Sequence, residues 1–150
     1  MAQKIFRILP ALCITASFVA GCAGQRPNGE EIFLTGRNAA GLAIESDLDR
    51  SELADPSMQI ACATCHGDDR AGRSHPIPAL GPFTAPAITP ADLAAPTERR
   101  PAYTRATLRA AITEGRNPAG KGLHYPMPRW TIADPDLADL VAWLLPDEAR

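Results

Sequence analysis

Residues 62–66 read Cys-Ala-Thr-Cys-His, an order of side chains that can hold a haem covalently. Two thiols can add to the two vinyl groups of haem b and form thioether bonds. The two intervening residues set Cys62 and Cys65 at the spacing of those vinyls on one helical turn. His66 follows directly, so its imidazole can turn under the ring and bind iron from one side. Two other chemistries use similar residues. A thiol–disulfide pair wants a low-pKa thiol in a βαβ setting, yet no β-branched strand run precedes this motif. A closed zinc site wants four ligands; beside His66 only His75 and His124 remain, with no second Cys pair. The motif points to one c-type haem.

The segment before it speaks to compartment. Lys4 and Arg7 precede an apolar stretch from Ile8 to Val19, shorter than the roughly 20 residues a membrane-spanning helix needs. It matches a secretory signal. Its end, Val19-Ala20-Gly21-Cys22, resembles a bacterial lipobox, which predicts cleavage before Cys22 and acylation of that residue. Residues 1–21 are then a signal peptide, 22–28 a lipidated tether and 29–150 the folded domain. The six steps from Cys22 to Asn28, at about 3.6 Å each, reach roughly 20 Å, which keeps the domain near the membrane. Of four cysteines, Cys13 is discarded, Cys22 is lipidated and two hold haem, so no structural disulfide remains. Ala23 in place of Asp leans toward the outer membrane of a bacterial envelope.

The elements that must position the haem are helical. Asp134 and Pro135 suit a helix start, and Leu137, Leu140, Val141, Leu144 and Leu145 form one apolar stripe. Pro146 stops it. A second helix is predicted from about Thr104 to Glu114, with Leu108 and Ile112 inward and Gly115 as its left-handed cap. A third begins near Gly29 and includes Ile32 and Phe33. Fifteen prolines argue for long irregular connections, and the rest reads as loops.

These residues resemble the small class I c-type cytochromes. That resemblance implies an all-α fold in which three or more helices and long loops wrap one covalently bound haem. It pairs Gly29 and Phe33 on the first helix with Leu140 and Trp143 on the last, where the two helices cross. It also places a Pro-x-Leu twelve residues after the haem histidine, and Pro78-Ala79-Leu80 fits that count. By resemblance, the Pro78 carbonyl accepts the His66 Nδ1 proton and Leu80 packs on the haem. The distal ligand it implies is Met127, in Tyr125-Pro126-Met127-Pro128, where flanking prolines stiffen the loop. His124 is the rival in a bis-His arrangement. Met58 reads as core and His75 as a solvated loop residue. The family's short members lack a segment like 37–57, whose role is open.

With both axial positions filled by protein, iron has no open site for substrate, and one-electron transfer is the remaining chemistry. The favoured reading is a periplasm-facing, membrane-tethered electron carrier. The alternatives are a haem subunit docked to an exported dehydrogenase or oxidase, and a ligand-binding sensor or peroxidase. No carboxylate pair, nucleophile triad or phosphate loop suggests independent catalysis, and an exported acidic chain argues against nucleic acid. The chain has 15 Lys and Arg and 17 Asp and Glu; loss of Lys4 and Arg7 leaves 13 against 17. Residues 99–130 are nonetheless basic: Arg99, Arg100, Arg105, Arg109, Arg116, Lys121 and Arg129 against one acid. They could steer a redox partner with an acidic face, or, with Trp130 or Tyr103, meet the haem propionates. The lipid anchor has a direct check: the mature protein's mass should begin at acylated Cys22, and Cys22→Ser should release the chain into the soluble fraction.

Overall fold

The computed structural model describes residues 26–52, 55–77 and 81–147. The signal segment, Cys22 and most of the tether lie outside the described residues. Two helices cross to form the frame. Helix α1, Asn28–Thr35, stops at Gly36, whose φ of 67° is a left-handed cap. Helix α5, Asp134–Leu144, buries Leu137, Leu140, Val141 and Leu144 along one stripe. At the crossing the Gly29 backbone lies so close to α5 that an added Cβ would sit 2.2 Å from the Asp139 carbonyl oxygen. Only glycine permits that approach. One turn on, Phe33, fully buried, meets Trp143 with ring centroids 4.9 Å apart. Arg70 lies over the Trp143 ring at 4.3 Å, a cation–π contact. The Asn28 side-chain amide donates to Asp136 at 2.9 Å and Asp139 at 2.8 Å, fastening the start of α1 to α5.

Helix starts follow their local chemistry, with one difference. Asp134 is not the cap of α5; the helix begins with it, Ala133 occupies the cap position and no side chain caps there. The Asp134 carboxylate instead pairs with Arg109. Helix α4, Arg105–Glu114, starts with a reciprocal box in which the Thr104 and Thr107 side chains each accept the other's backbone N–H. It ends on Gly115 at φ 67° and buries Leu108, Ala111 and Ile112.

The remaining elements are short. The haem motif forms helix α2, Cys62–His66, and Pro90–Ala94 forms helix α3, capped by Thr89. The expected all-α architecture needs correction here, because two antiparallel ribbons are also present. Strand β1, Glu45–Ser46, pairs with β4, Trp130–Thr131. Strand β2, Arg73–Ile77, pairs with β3, Gly81–Ala85. The three residues between β2 and β3, Pro78 to Leu80, lie outside the described residues. Around the frame, Ile32, Phe33, Leu93, Leu140 and Leu145 are the most deeply buried large side chains. Each contributes about 1.5–3 kcal/mol of burial.

The α1–α5 crossing generates a stability prediction. Gly29→Ala should destabilise the protein by about 1–3 kcal/mol through overpacking. Gly122→Ala, where nothing lies within 4 Å of an added Cβ, should change stability by less than about 0.5 kcal/mol. Denaturant unfolding of the two variants checks both.

Candidate haem site

A cavity of about 520 Å³ opens between α2, α4, the end of the β2–β3 hairpin and the loop before β4. Its size falls within the roughly 300–1,000 Å³ of cofactor pockets. Cys62, Cys65 and His66 line one side, and His124, Pro126, Met127 and Pro128 also line it. Leu93, Tyr103, Leu108, Ile112 and Leu144 make much of the apolar wall, and Leu48 and Met58 extend it from the 37–57 region and just after.

His66 is buried and its orientation is set. Nδ1 lies 2.9 Å from the Pro86 carbonyl oxygen, so in the neutral ring Nδ1 carries the proton and Nε2 keeps its lone pair. Burial holds the imidazole below its ordinary pKa, while the Pro86 bond pulls upward and His75 pushes down. A neutral imidazole with a bare Nε2 is what iron ligation requires.

This bond corrects the sequence reading: the carbonyl that meets His66 is that of Pro86, and Pro78 itself lies outside the described residues. The count of twelve residues failed because the β2–β3 hairpin lengthens the path from His66. Its base is drawn back by three backbone contacts. Gly72 N–H donates to the His66 carbonyl at 2.9 Å, Ile88 N–H donates to the Arg70 carbonyl at 2.9 Å, and Gly72 passes against the 85–87 backbone. An added Cβ at Gly72 would sit 2.5 Å from the Ala85 oxygen, and its φ of 76° also favours glycine. Pro86-Ala87-Ile88 repeats the proline-x-aliphatic pattern twenty residues after His66, and Ile88 lines the cavity. That second occurrence was the signal available in the sequence. Leu80 lies outside the described residues.

Two further expectations change. His75 is not a solvated loop residue: it sits on β2, its Nε2 is 2.8 Å from the Cys65 carbonyl oxygen and its ring stacks on Phe83. Met58 is not core; it is 44% exposed at the cavity edge. The candidate distal residues differ in setting, Met127 being half-buried against the core and His124 exposed.

The thiols do not suit redox exchange. Burial pushes Cys62 up to about 12 and raises Cys65 as well, opposite to the depressed values such pairs use. Among the described residues no group of three or more His, Cys, Asp or Glu is arranged to hold a metal ion.

A haem fits what is present. The walls are almost wholly apolar, the thiols and His66 share one side, and among the described residues two buried side-chain polar atoms lack a protein partner. These are Trp130 Nε1, in the cavity wall, and Ser46 Oγ, whose residue pairs with Trp130 across β1–β4. A buried donor without an acceptor is costly, and a propionate oxygen would satisfy it. The basic residues of 99–130 are largely engaged elsewhere. Arg100 donates to the Asp92, Ala95 and Pro101 carbonyls and lies over Tyr103 at 4.6 Å. Arg105, Arg109, Arg116 and Arg129 pair with Asp147, Asp134, Glu114 and Asp47.

With this geometry in place, comparison with known proteins is specific. The family model described as Cytochrome c matches residues 56–146, more than half of the chain. The chain belongs to the cytochrome c family, with the class I fold, covalent haem c as its cofactor and a haem-based role in electron transfer. Neither curated proteins nor solved structures gave a match. Helix α1 and the segment up to residue 55 precede the matched region.

Proposed function

We propose that the protein is a membrane-tethered, periplasm-facing electron carrier whose haem iron is held by His66 and Met127. The observation that carries this reading is that His66, with its Nε2 lone pair open, and the half-buried Met127 line one apolar cavity. Cys62 and Cys65 would supply the thioether bonds. When bound, haem supplies one-electron cycling of iron, and a thioether ligand favours the reduced state relative to a second imidazole. The chain's own work is to hold and exclude. The Pro86 carbonyl keeps His66 in its Nδ1–H tautomer, the prolines around Met127 stiffen its loop, and the apolar walls keep water from the ring. Trp130 Nε1, in the cavity wall, would donate to a haem propionate.

The tether reading rests on Cys22 and the residues before it. Among the described residues no helix is long and apolar enough to cross a membrane, so attachment through acylated Cys22 is the route proposed, with the outer membrane preferred. The partner class proposed is a redox protein with an acidic face. The self-pairing of most arginines in 99–130 makes steering depend on the remaining net charge of that surface. A haem subunit docked to an exported redox enzyme is the second reading, favoured by exposed apolar side chains near the 37–57 segment: Leu42 at 65% and Met58 at 44%.

The test is optical. Ferric protein should show the weak far-red band of methionine–iron ligation, Met127→Ala should abolish it, and His124→Ala should leave it. Ferrous protein should not take up CO at neutral pH, and its oxidation by an acidic partner should slow as salt rises. Loss of the band in His124→Ala but not in Met127→Ala, or ready CO binding by the unaltered protein, would contradict the reading.

A further inference from the structure

Segment 37–57 is fastened to the exit of the loop that carries Met127. Glu45 and Ser46 face Thr131 and Trp130 across the β1–β4 ribbon. Immediately beyond, the Asp47 N–H donates to the Arg129 carbonyl at 3.1 Å. In return the Arg129 N–H donates to Asp47 Oδ1 at 2.8 Å. The Arg129 guanidinium reaches Asp47 Oδ2 at 3.4 Å and, through Nε, the Glu114 carbonyl at 3.2 Å. Arg129 therefore joins segment 37–57 to the last turn of α4, where a cation suits the helix dipole.

The loop itself has few other backbone ties. Leu123 N–H donates to the Gly115 carbonyl at 2.6 Å where the loop begins, and Met127 N–H closes a turn on the His124 carbonyl at 3.0 Å. Between that turn and α5, the backbone bonds to 45–47 are the fastening. The Asp47–Arg129 ion pair is about half exposed on both sides, and such pairs contribute little alone. The bond from a backbone N–H to the Asp47 carboxylate is different, because it is charge-assisted and fixes a main-chain position.

We infer that Asp47 is a positioning residue for the distal loop, its carboxylate pinning Arg129 two residues beyond Met127 so that the thioether stays at the cavity. This rests on Met127 as the proposed ligand. The 45–48 stretch is thereby part of the haem enclosure, to which it also contributes Leu48.

The experiment uses the haem-loaded protein with Asp47→Ala, Asp47→Asn and, as a surface control, Glu45→Ala. Amide hydrogen exchange is read at residues 124–131 and at 137–141 of α5, beside the far-red band. Asp47→Ala should raise exchange at 124–131 about tenfold, leave 137–141 unchanged and weaken the band. Asp47→Asn, whose Oδ1 still accepts the Arg129 N–H, should restore most of both, and Glu45→Ala should match the unaltered protein. Unchanged exchange at 124–131 in Asp47→Ala would overturn the inference. So would an equal rise at 137–141, which marks general destabilisation. If the loop responds as expected but the unaltered protein has no band, the positioning stands and Met127 as ligand fails.

Discussion

An apolar cavity entered by one correctly oriented imidazole is the constraint on which the other elements converge. An Ala- and Pro-rich chain of this size has little aliphatic bulk with which to close its own core. A wide flat ring would supply the missing packing, held through Cys62, Cys65 and His66 on one short helix in the reading proposed. Everything around α2 then has a definite task. The hairpin base returns the Pro86 carbonyl to Nδ1 of His66, and α4 and α5 provide wall. The 124–128 loop brings a thioether to the same space. The crossing of α1 with α5 holds this frame together, and a glycine at the contact allows it.

Much of that frame was legible from the sequence because it obeys local rules. The stripe of Leu137, Leu140, Val141 and Leu144 and the Gly115 cap appear where periodicity and capping place them. Gly29, Phe33 and Trp143 meet as the resemblance implied. What was not legible depends on tertiary pairing. The β1–β4 ribbon has two residues per strand and no periodicity to detect. The β2–β3 hairpin breaks a count along the chain while preserving the contact in space, which is why the carbonyl that faces His66 comes from Pro86, twenty residues on. His75 was misread for the same reason: only the hairpin brings it to the Cys65 carbonyl.

Most of the arginines in residues 99–130 are engaged in the architecture. Arg109, Arg116 and Arg129 look like a basic surface in the sequence, yet each has a carboxylate partner in the fold. Asn28 and Asn38 likewise bond to the acids at the start of α5. Among the described residues, the buried side-chain polar atoms without a partner are Trp130 Nε1, in the cavity wall, and Ser46 Oγ, whose residue pairs with Trp130 across β1–β4. An apolar space with an unpaired donor, Trp130 Nε1, at its wall suits an amphiphilic ring bearing carboxylates.

The claim at the centre of this account is a closed iron site with His66 and Met127 on opposite faces. Proton NMR of the reduced protein, with the methionine methyl groups labelled, tests it most directly. A methionine bound to low-spin iron sits above the ring current, so one methyl resonance should move far upfield while that of Met58 stays in the ordinary range. All methionine methyls in the ordinary range, with two iron-bound imidazoles or a high-spin spectrum instead, would contradict the account.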